Sequence, residues 1–377
     1  MTKQGFWKHG AAWGSLALSS AAVVCVAVLV GHAAGQVVPP SAAIVPAGVT
    51  VPRDSVLTAV GVPVSAPAPA PATPAETSIL FVGDIMLDRL VATRTARAKD
   101  SLYPFLGIRD DQGRFFRGQD VVVANLEGPV TPLRRAPNKT LDFAFATSVV
   151  LVLKDVGIHA VSQANNHALD QGREGADESR AFLQAVGLTV FGDQVRDSAT
   201  SSLAFIKANG KTIALLGWNT TDNPLIKDEA REAIARATST ADYVIVYMHW
   251  GEEYKEKPNA SQTELAHWFI DLGGIDAVIG AHPHWMQSIE VYKHKPIVYS
   301  LGNFIFDQDW SVETTHGLAV KLVFGNNGSK LELHPVAIIK SQPRFLSGDE
   351  KKKRLERLAG ISDVALTAAI REGMIAF

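Results

Sequence analysis

The chain has 377 residues, enough for one large domain with appendages. Its 36 Lys and Arg against 38 Asp and Glu leave a formal charge of -2, which excludes the strongly basic surface of a dedicated nucleic-acid binder. At 47% hydrophobic and 20% charged it is no acidic disordered chain, and its one cysteine, Cys25, excludes an internal disulfide scaffold and a cysteine-rich zinc module.

Residues 10–31 carry no charge, and as a helix of about 33 Å they are long enough to cross a bilayer. Lys3 and Lys8 precede the run and no acidic residue occurs before Asp54, so residues 1–9 are expected in the cytoplasm and everything after the run outside it. A retained anchor is preferred because the run exceeds the roughly 7 to 15 residues of a signal-peptide core. Gly31, Ala33 and Ala34 also suit cleavage, and either reading exports the rest of the chain, as a membrane-anchored or a secreted protein. Val23 and Val24 stand where a lipid-modified Cys25 would want small residues. Residues 32–77 follow as a linker: nine of the 19 prolines fall between Val38 and Thr77, ending in APAPAPATPAET, a density that no helix or central strand accommodates. Ala/Pro alternation favours a semi-rigid polyproline II spacer.

A globular domain is expected over residues 78–345, with a helical tail over 346–377. Within the domain, short β-branched apolar runs stop abruptly at polar residues, the pattern of strands buried on both faces. SILFV leads into Gly83-Asp84, VVVA into Asn125-Leu126-Glu127, and HAVSQA into Asn165-Asn166-His167 and Asp170. YVIVYM leads into His249-Trp250-Gly251-Glu252, AVIGA into His282-Pro283-His284, and PIVYSLG into Asn303. Amphipathic stretches at 175–186 and 227–238 separate them, as does a helix over 261–273, where Ser261 and Glu264 have capping-box spacing and Leu265, Trp268, Phe269 and Leu272 share a face. The fold class predicted is an α/β sandwich of two mixed sheets flanked by helices.

Ligands of open α/β sheets bind beyond the carboxyl ends of strands. Asp84, Asn125, Glu127, Asn166, His167, His249, His282 and His284 are therefore expected to converge. Carboxylate, amide oxygen and imidazole together suit one or two divalent ions such as Mn²⁺, Zn²⁺ or Fe²⁺ rather than an all-oxygen calcium site. Each residue also has a structural reading: Asp84 as a turn or cap residue, Asn165-Asn166 as turn formers, His167 as a core histidine. Recurrence at strand end after strand end favours a joint site. Glu252 and Asn303 are added as substrate-binding candidates with Asn125. Trp250, Tyr254, Trp285 and Phe304 either wall a groove or pack the sandwich. No Gly-rich loop followed by Lys suggests a nucleotide phosphate site, and the charged stretch DEKKKRLERL reads as the solvated face of a helix.

FVGDIMLDR (81–89), ANLEGPVT (124–131), QANNHALDQG (163–172), MHWGEEY (248–254), GAHPHWMQ (280–287) and YSLGNFIFD (299–307), in this order, resemble the CapA-type capsule-synthesis family of poly-γ-glutamate biosynthesis. The resemblance covers about residues 78–335 and implies a calcineurin-like metallophosphatase fold. It implies Asp84, Glu127, Asn166, His249, His282 and His284 as metal ligands, with Glu127 bridging. His167 becomes the general acid and Asp170 its orienting partner. The first motif departs from Asp-x-His, reading Asp84-Ile85-Met86, and a thioether is a poor ligand for such metals, so one metal position is expected to be weak or empty. Asp88 either substitutes or is a first-turn carboxylate. Two functions follow from the resemblance: metal-assisted hydrolysis of a phosphoester or of a polymer amide, or a non-catalytic role in binding and exporting an anionic polymer, with other membrane proteins of capsule synthesis as partners.

Overall fold

The computed structural model describes residues 76–377, apart from 117, 136–140, 194–201 and 327. The anchor and most of the linker lie outside the described residues; among those that are described, no helix is long and apolar enough to cross a membrane.

The apolar runs form strands that divide between two sheets. The first sheet opens with β1 (Thr77–Ile85), β2 (Val121–Leu126), β3 (Ala160–Gln163) and β4 (Thr189–Asp193), all mutually parallel. The chain then builds the second sheet from β5 (Leu203–Ala208), β6 (Lys211–Asn219), β7 (Tyr243–His249), β8 (Ala277–Ala281), β9 (Ile289–Tyr292) and β10 (Lys295–Val298). It returns to the first with β11 (Asn303–Ile305), β12 (His316–Gly325), β13 (Gly328–Ile339), β14 (Gln342–Phe345) and β15 (Met374–Ala376). Strand order is β14-β13-β12-β1-β2-β3-β4, with β11 beside β1 and β15 beside β13, against β5-β6-β7-β8-β10-β9. Both sheets are mixed, as expected: β12 runs antiparallel to β1, and β5 antiparallel to β6.

Alternation along each strand divides the core. Ile79 and Phe81 of β1 face Ile245 and Tyr247 of β7 between the sheets, while Leu80 and Val82 join the outer layer. That outer layer includes α1 (Arg89–Ala98), α2 (Val149–Asp155) and α3 (Gly172–Ala185). On the far side of the second sheet, α4 (Lys227–Thr240) and α5 (Ala260–Asp271) cover Val244, Val246 and Val278. Near-continuous apolar strands follow from this burial on both faces.

The cap of α5 differs from its predicted position. Asn259, not Ser261, accepts from Gln262 N at 2.9 Å, and Gln262 Oε1 accepts from Asn259 N at 3.0 Å, a reciprocal pair two residues earlier. The buried face is accordingly Gln262, Ala266, Phe269 and Ile270. Residues 346–377 contain α6 (Gly348–Ile361) and α7 (Thr367–Glu372) before β15. Leu355 and Leu358 of α6, Ile370 of α7 and Ile375 of β15 enter the core between the sheets, while Lys352, Lys353 and Glu356 stay in solvent.

Candidate metal centre

The site lies where the parallel strands of both sheets end. Asp84 closes β1 beside Asn303, its parallel register partner on β11, and Asp84 N donates to Gly302 O at 3.1 Å. This approach explains Gly83: a Cβ there would lie 1.9 Å from Gly302 O. Glu127 follows β2, Asn166 and His167 follow β3, His249 ends β7, and His282 and His284 follow β8.

The six expected ligands form two groups. Asp84, Glu127 and His284 are all buried and each offers a donor atom within 4.8 Å of the others. Asp84 Oδ2 is 3.4 Å from His284 Nδ1, and Glu127 Oε1 is 3.8 Å from His284 Nε2. In the second group, His249 Nε2 lies 2.8 Å from Asn166 Oδ1 and 3.2 Å from His282 Nδ1. Asn125 joins the groups: its amide nitrogen donates to Asp84 Oδ1 at 2.8 Å and stands 3.5 Å from Glu127 Oε2 and 3.4 Å from His249 Nδ1.

Burial shapes the charge here. Burial and then the Asp84 carboxylate push Glu127 well above the ordinary carboxylate range. For His284, burial opposes the proton, but Glu127 and Asp84 outweigh it and raise the imidazole to about 9. Burial and then His284 lower His282 to about 3, so its imidazole is neutral with a lone pair to offer. His282 and His284 also have left-handed backbone, at φ 93° and 59°, a strained arrangement for non-glycine residues that holds both rings at the turn.

His167 sits beside the first group, its Nδ1 2.6 Å from Asp170 Oδ2 and its Nε2 4.0 Å from Glu127 Oε1. Asp170 Oδ2 also accepts from Phe143 N at 2.7 Å, and the Phe143 ring stacks on the imidazole at 4.1 Å. The carboxylate and the ring together fix the imidazole's tilt and leave Nε2 facing the carboxylates.

Of the three expected substrate contacts, two are buried. Asn125 is 0% exposed and braces the carboxylates, and Asn303 is 1% exposed, with Oδ1 2.9 Å from His284 Nδ1 and its amide nitrogen donating to Gln308 Oε1 and Thr314 O. Both amides are spent within the protein. Glu252 is exposed, and it is the next residue, Glu253, that reaches the site, with Oε1 4.0 Å from His284 Nε2. Asn165, read as a turn former, donates from Nδ2 to Asn125 Oδ1 at 3.0 Å and to Leu126 O at 2.9 Å, and its Oδ1 accepts from His167 N. The consecutive asparagines after a strand were its one signal. Trp250 and Phe304 are buried packing residues, whereas Tyr254 stacks on His284 at 5.9 Å between Trp285 and the exposed Trp310.

Met86 has its sulfur engaged by the backbone. It is fully buried in the outer core layer, and its sulfur accepts from Asp88 N at 3.1 Å. Asp88 caps α1, accepting from Arg89 N at 2.7 Å and from Ala144 N at 3.0 Å, and pairs with Arg134. It is therefore the N-cap of α1, one position before the first turn, with its carboxylate spent on backbone donors and Arg134.

The donor set fits divalent metal. Asp84 Oδ2 and Glu127 Oε1 are buried with no hydrogen-bond partner, a costly arrangement for carboxylates that a cation relieves. Carboxylates, an amide oxygen and neutral imidazoles are the donor types of a borderline ion.

A family described as "Bacterial capsule synthesis protein PGA_cap" matches residues 78–308. The chain is 31% identical over 294 residues to "PGA biosynthesis protein CapA" of Bacillus subtilis (strain 168), covering 74% of this chain and 76% of that protein. It is 31% identical over 302 residues to "Capsule biosynthesis protein CapA" of Bacillus anthracis, covering 74% and 72%. Among solved structures, it is similar to the calcineurin-like phosphoesterase YfkN from Bacillus subtilis, with a TM-score of 0.35 and 13% identity over 72% of this chain and 88% of that one.

Proposed function

The chain belongs to the bacterial capsule synthesis protein PGA_cap family, and on that premise we propose that it acts on an anionic capsule polymer as a metal-dependent hydrolase outside the cytoplasm, tethered to the membrane by residues 10–31. The observation that carries the reading is the pair of buried carboxylate oxygens without a hydrogen bond, Asp84 Oδ2 and Glu127 Oε1, facing imidazoles at the strand ends. The names of the two CapA relatives support a capsule polymer as the substrate class. The uncharged run after Lys3 and Lys8 supports the tether.

Asp84, Glu127 and His284 would hold one divalent ion and Asn166, His249 and His282 a second. Bound there, the metal supplies a Lewis acid that polarises the scissile bond and acidifies water. The chain's own groups do the rest. With Asp170 accepting from His167 Nδ1, the imidazolium form carries its second proton on Nε2 and gives it to the leaving group as the bond breaks, ending as the neutral imidazole. Asn303 takes up Nδ1 of His284, leaving Nε2 for the site. Tyr254 and Trp285 flank the mouth and restrict the approach of substrate. Phosphoester and polymer amide both suit this constellation.

The buried sulfur of Met86 favours a second reading, in which the polymer is bound but not cut because one metal position lacks its usual ligand. Elemental analysis of the purified full chain, with assays on bis-p-nitrophenyl phosphate and on poly-γ-glutamate, separates the two. Bound metal with turnover that His282→Ala abolishes supports the hydrolase; bound metal without turnover selects the binding role; no metal, even after addition of Mn²⁺ or Zn²⁺, overturns both. For the tether, the expected result is recovery in the membrane fraction with the domain open to external protease, and a soluble cytoplasmic chain refutes it.

A further inference from the structure

We propose that Glu253 is a further ligand of the Asp84, Glu127 and His284 centre, supplying from the opposite wall the donor that Met86 withholds. The inference rests on the metal reading above and adds a residue to it.

The loop after β7 is fastened to the turn after β8 at several points. Trp250 N donates to Ala281 O at 3.2 Å, and Tyr254 N donates to Pro283 O at 2.9 Å. Gln287 Nε2 donates to Lys255 O and Lys257 O, each at 3.1 Å, and Gln287 Oε1 accepts from Gln262 Nε2 of α5. Gly251, at φ +82°, makes the bend, and a Cβ there would lie 2.4 Å from Gln262 Oε1. Tyr254 is itself left-handed, at φ 61°. A strained and pinned segment therefore carries Glu253 to within 4.0 Å of His284; both Glu252 and Glu253 are exposed, and of the two only Glu253 has an ion-pair contact with a site residue.

Asp84, Glu127 and His284 are the mutually close donors, and the distance from His284 lets Glu253 join them by turning its side chain inward. His284 Nδ1 is committed to Asn303, so Nε2 is the nitrogen left for a metal. Around that atom stand Glu127 Oε1 at 3.8 Å and Glu253 Oε1 at 4.0 Å. Two donors that bind one ion at about 2.1 Å each are at most about 4.2 Å apart, so both carboxylates qualify as neighbours of Nε2. Among the described residues, His284 is the one basic side chain within ion-pair range of Glu253. Glu253 is 42% exposed, which sets its carboxylate at the mouth, where a ligand can swing in without breaking the core.

A third carboxylate makes this centre three oxygens and one nitrogen, a carboxylate-rich set that suits Mn²⁺. Mn²⁺ binding is a property of the chain and does not depend on turnover.

The test is titration of chelator-stripped full-length protein with Mn²⁺ by calorimetry and by electron paramagnetic resonance. Glu253→Gln is expected to weaken one Mn²⁺ site by 10-fold or more while the melting temperature holds, Glu253→Asp to fall between it and the parent, and Glu252→Gln to leave affinity unchanged. Equal Mn²⁺ affinity in the parent and in folded Glu253→Gln overturns the assignment while leaving the metal centre in place. A parent that binds no Mn²⁺ and no Zn²⁺ removes the metal reading itself.

Discussion

His284 Nδ1 lies 2.9 Å from Asn303 Oδ1, and Asn303 is the parallel register partner of Asp84, so one backbone pairing between β1 and β11 sets both a carboxylate and the imidazole beside it. Asn303→Ala should free that imidazole to rotate. Loss of such a supporting partner typically weakens metal affinity by 10- to 100-fold. The buried carbonyl of Thr314 would lose its donor as well, at about 1 to 3 kcal/mol. Metal titration alongside urea unfolding checks both, and undiminished affinity in the folded variant would show that Asn303 only closes a turn.

The His167 and Asp170 pair predicts a separation of effects. Asp170→Asn keeps an oxygen for Phe143 N but removes the carboxylate that accepts from His167 Nδ1. Turnover should fall by about 10² to 10⁴, the usual worth of a general acid, with metal content unchanged. His167→Ala should match it, with kcat carrying the loss. Parallel loss of metal and turnover would recast His167 as a ligand.

Much of this centre is legible in the amino-acid sequence because the apolar runs stop at residues of ligand type. Asp84 and His249 lie at the ends of buried strands, Glu127 and His282 directly follow them, and parallel strands deliver their ends to one edge. What stays hidden depends on contacts distant in sequence. Glu252 and Glu253 are the same residue type side by side, and the choice between them is made by Gly251, Tyr254 and bonds to Pro283 and Gln287. Asn125 and Asn303 are amides at strand ends like Asn166, yet they face inward because neighbouring strands enclose them. The cap of α5 is similar: Asn259 and Ser261 both offer a capping oxygen, and Gln262, which also reaches Gln287, favours the earlier start.

A pH dependence follows from Asp120, at the start of β2. Burial opposes its charge, but donation from Ser78 N and Ser78 Oγ, each at 2.8 Å, outweighs it and holds the carboxyl below its usual value. A carboxyl depressed in the folded state stabilises fully above its unfolded value, near 4, and that contribution fades as pH falls through the folded value. Asp120→Asn should therefore lower the melting temperature at pH 7, and the gap from the parent should close as pH drops below about 4. A gap constant from pH 7 to pH 3 would mean that the carboxylate's charge is immaterial.

Restoring the histidine of the first motif should not restore a ligand. Met86 is fully buried among Leu87, Val91 and Phe143 in the outer core layer, and its sulfur is taken up by Asp88 N. The carboxylates stand at the strand ends, with Asp84 Oδ2 against His284. An imidazole at position 86 enters an apolar layer with one ring nitrogen lacking a partner, a loss of about 1 to 3 kcal/mol. Met86→His should thus unfold at lower urea while its metal stoichiometry stays that of the parent. A gain of one ion per chain with undiminished stability would show instead that position 86 turns into the centre, and that Glu253 has no missing donor to replace.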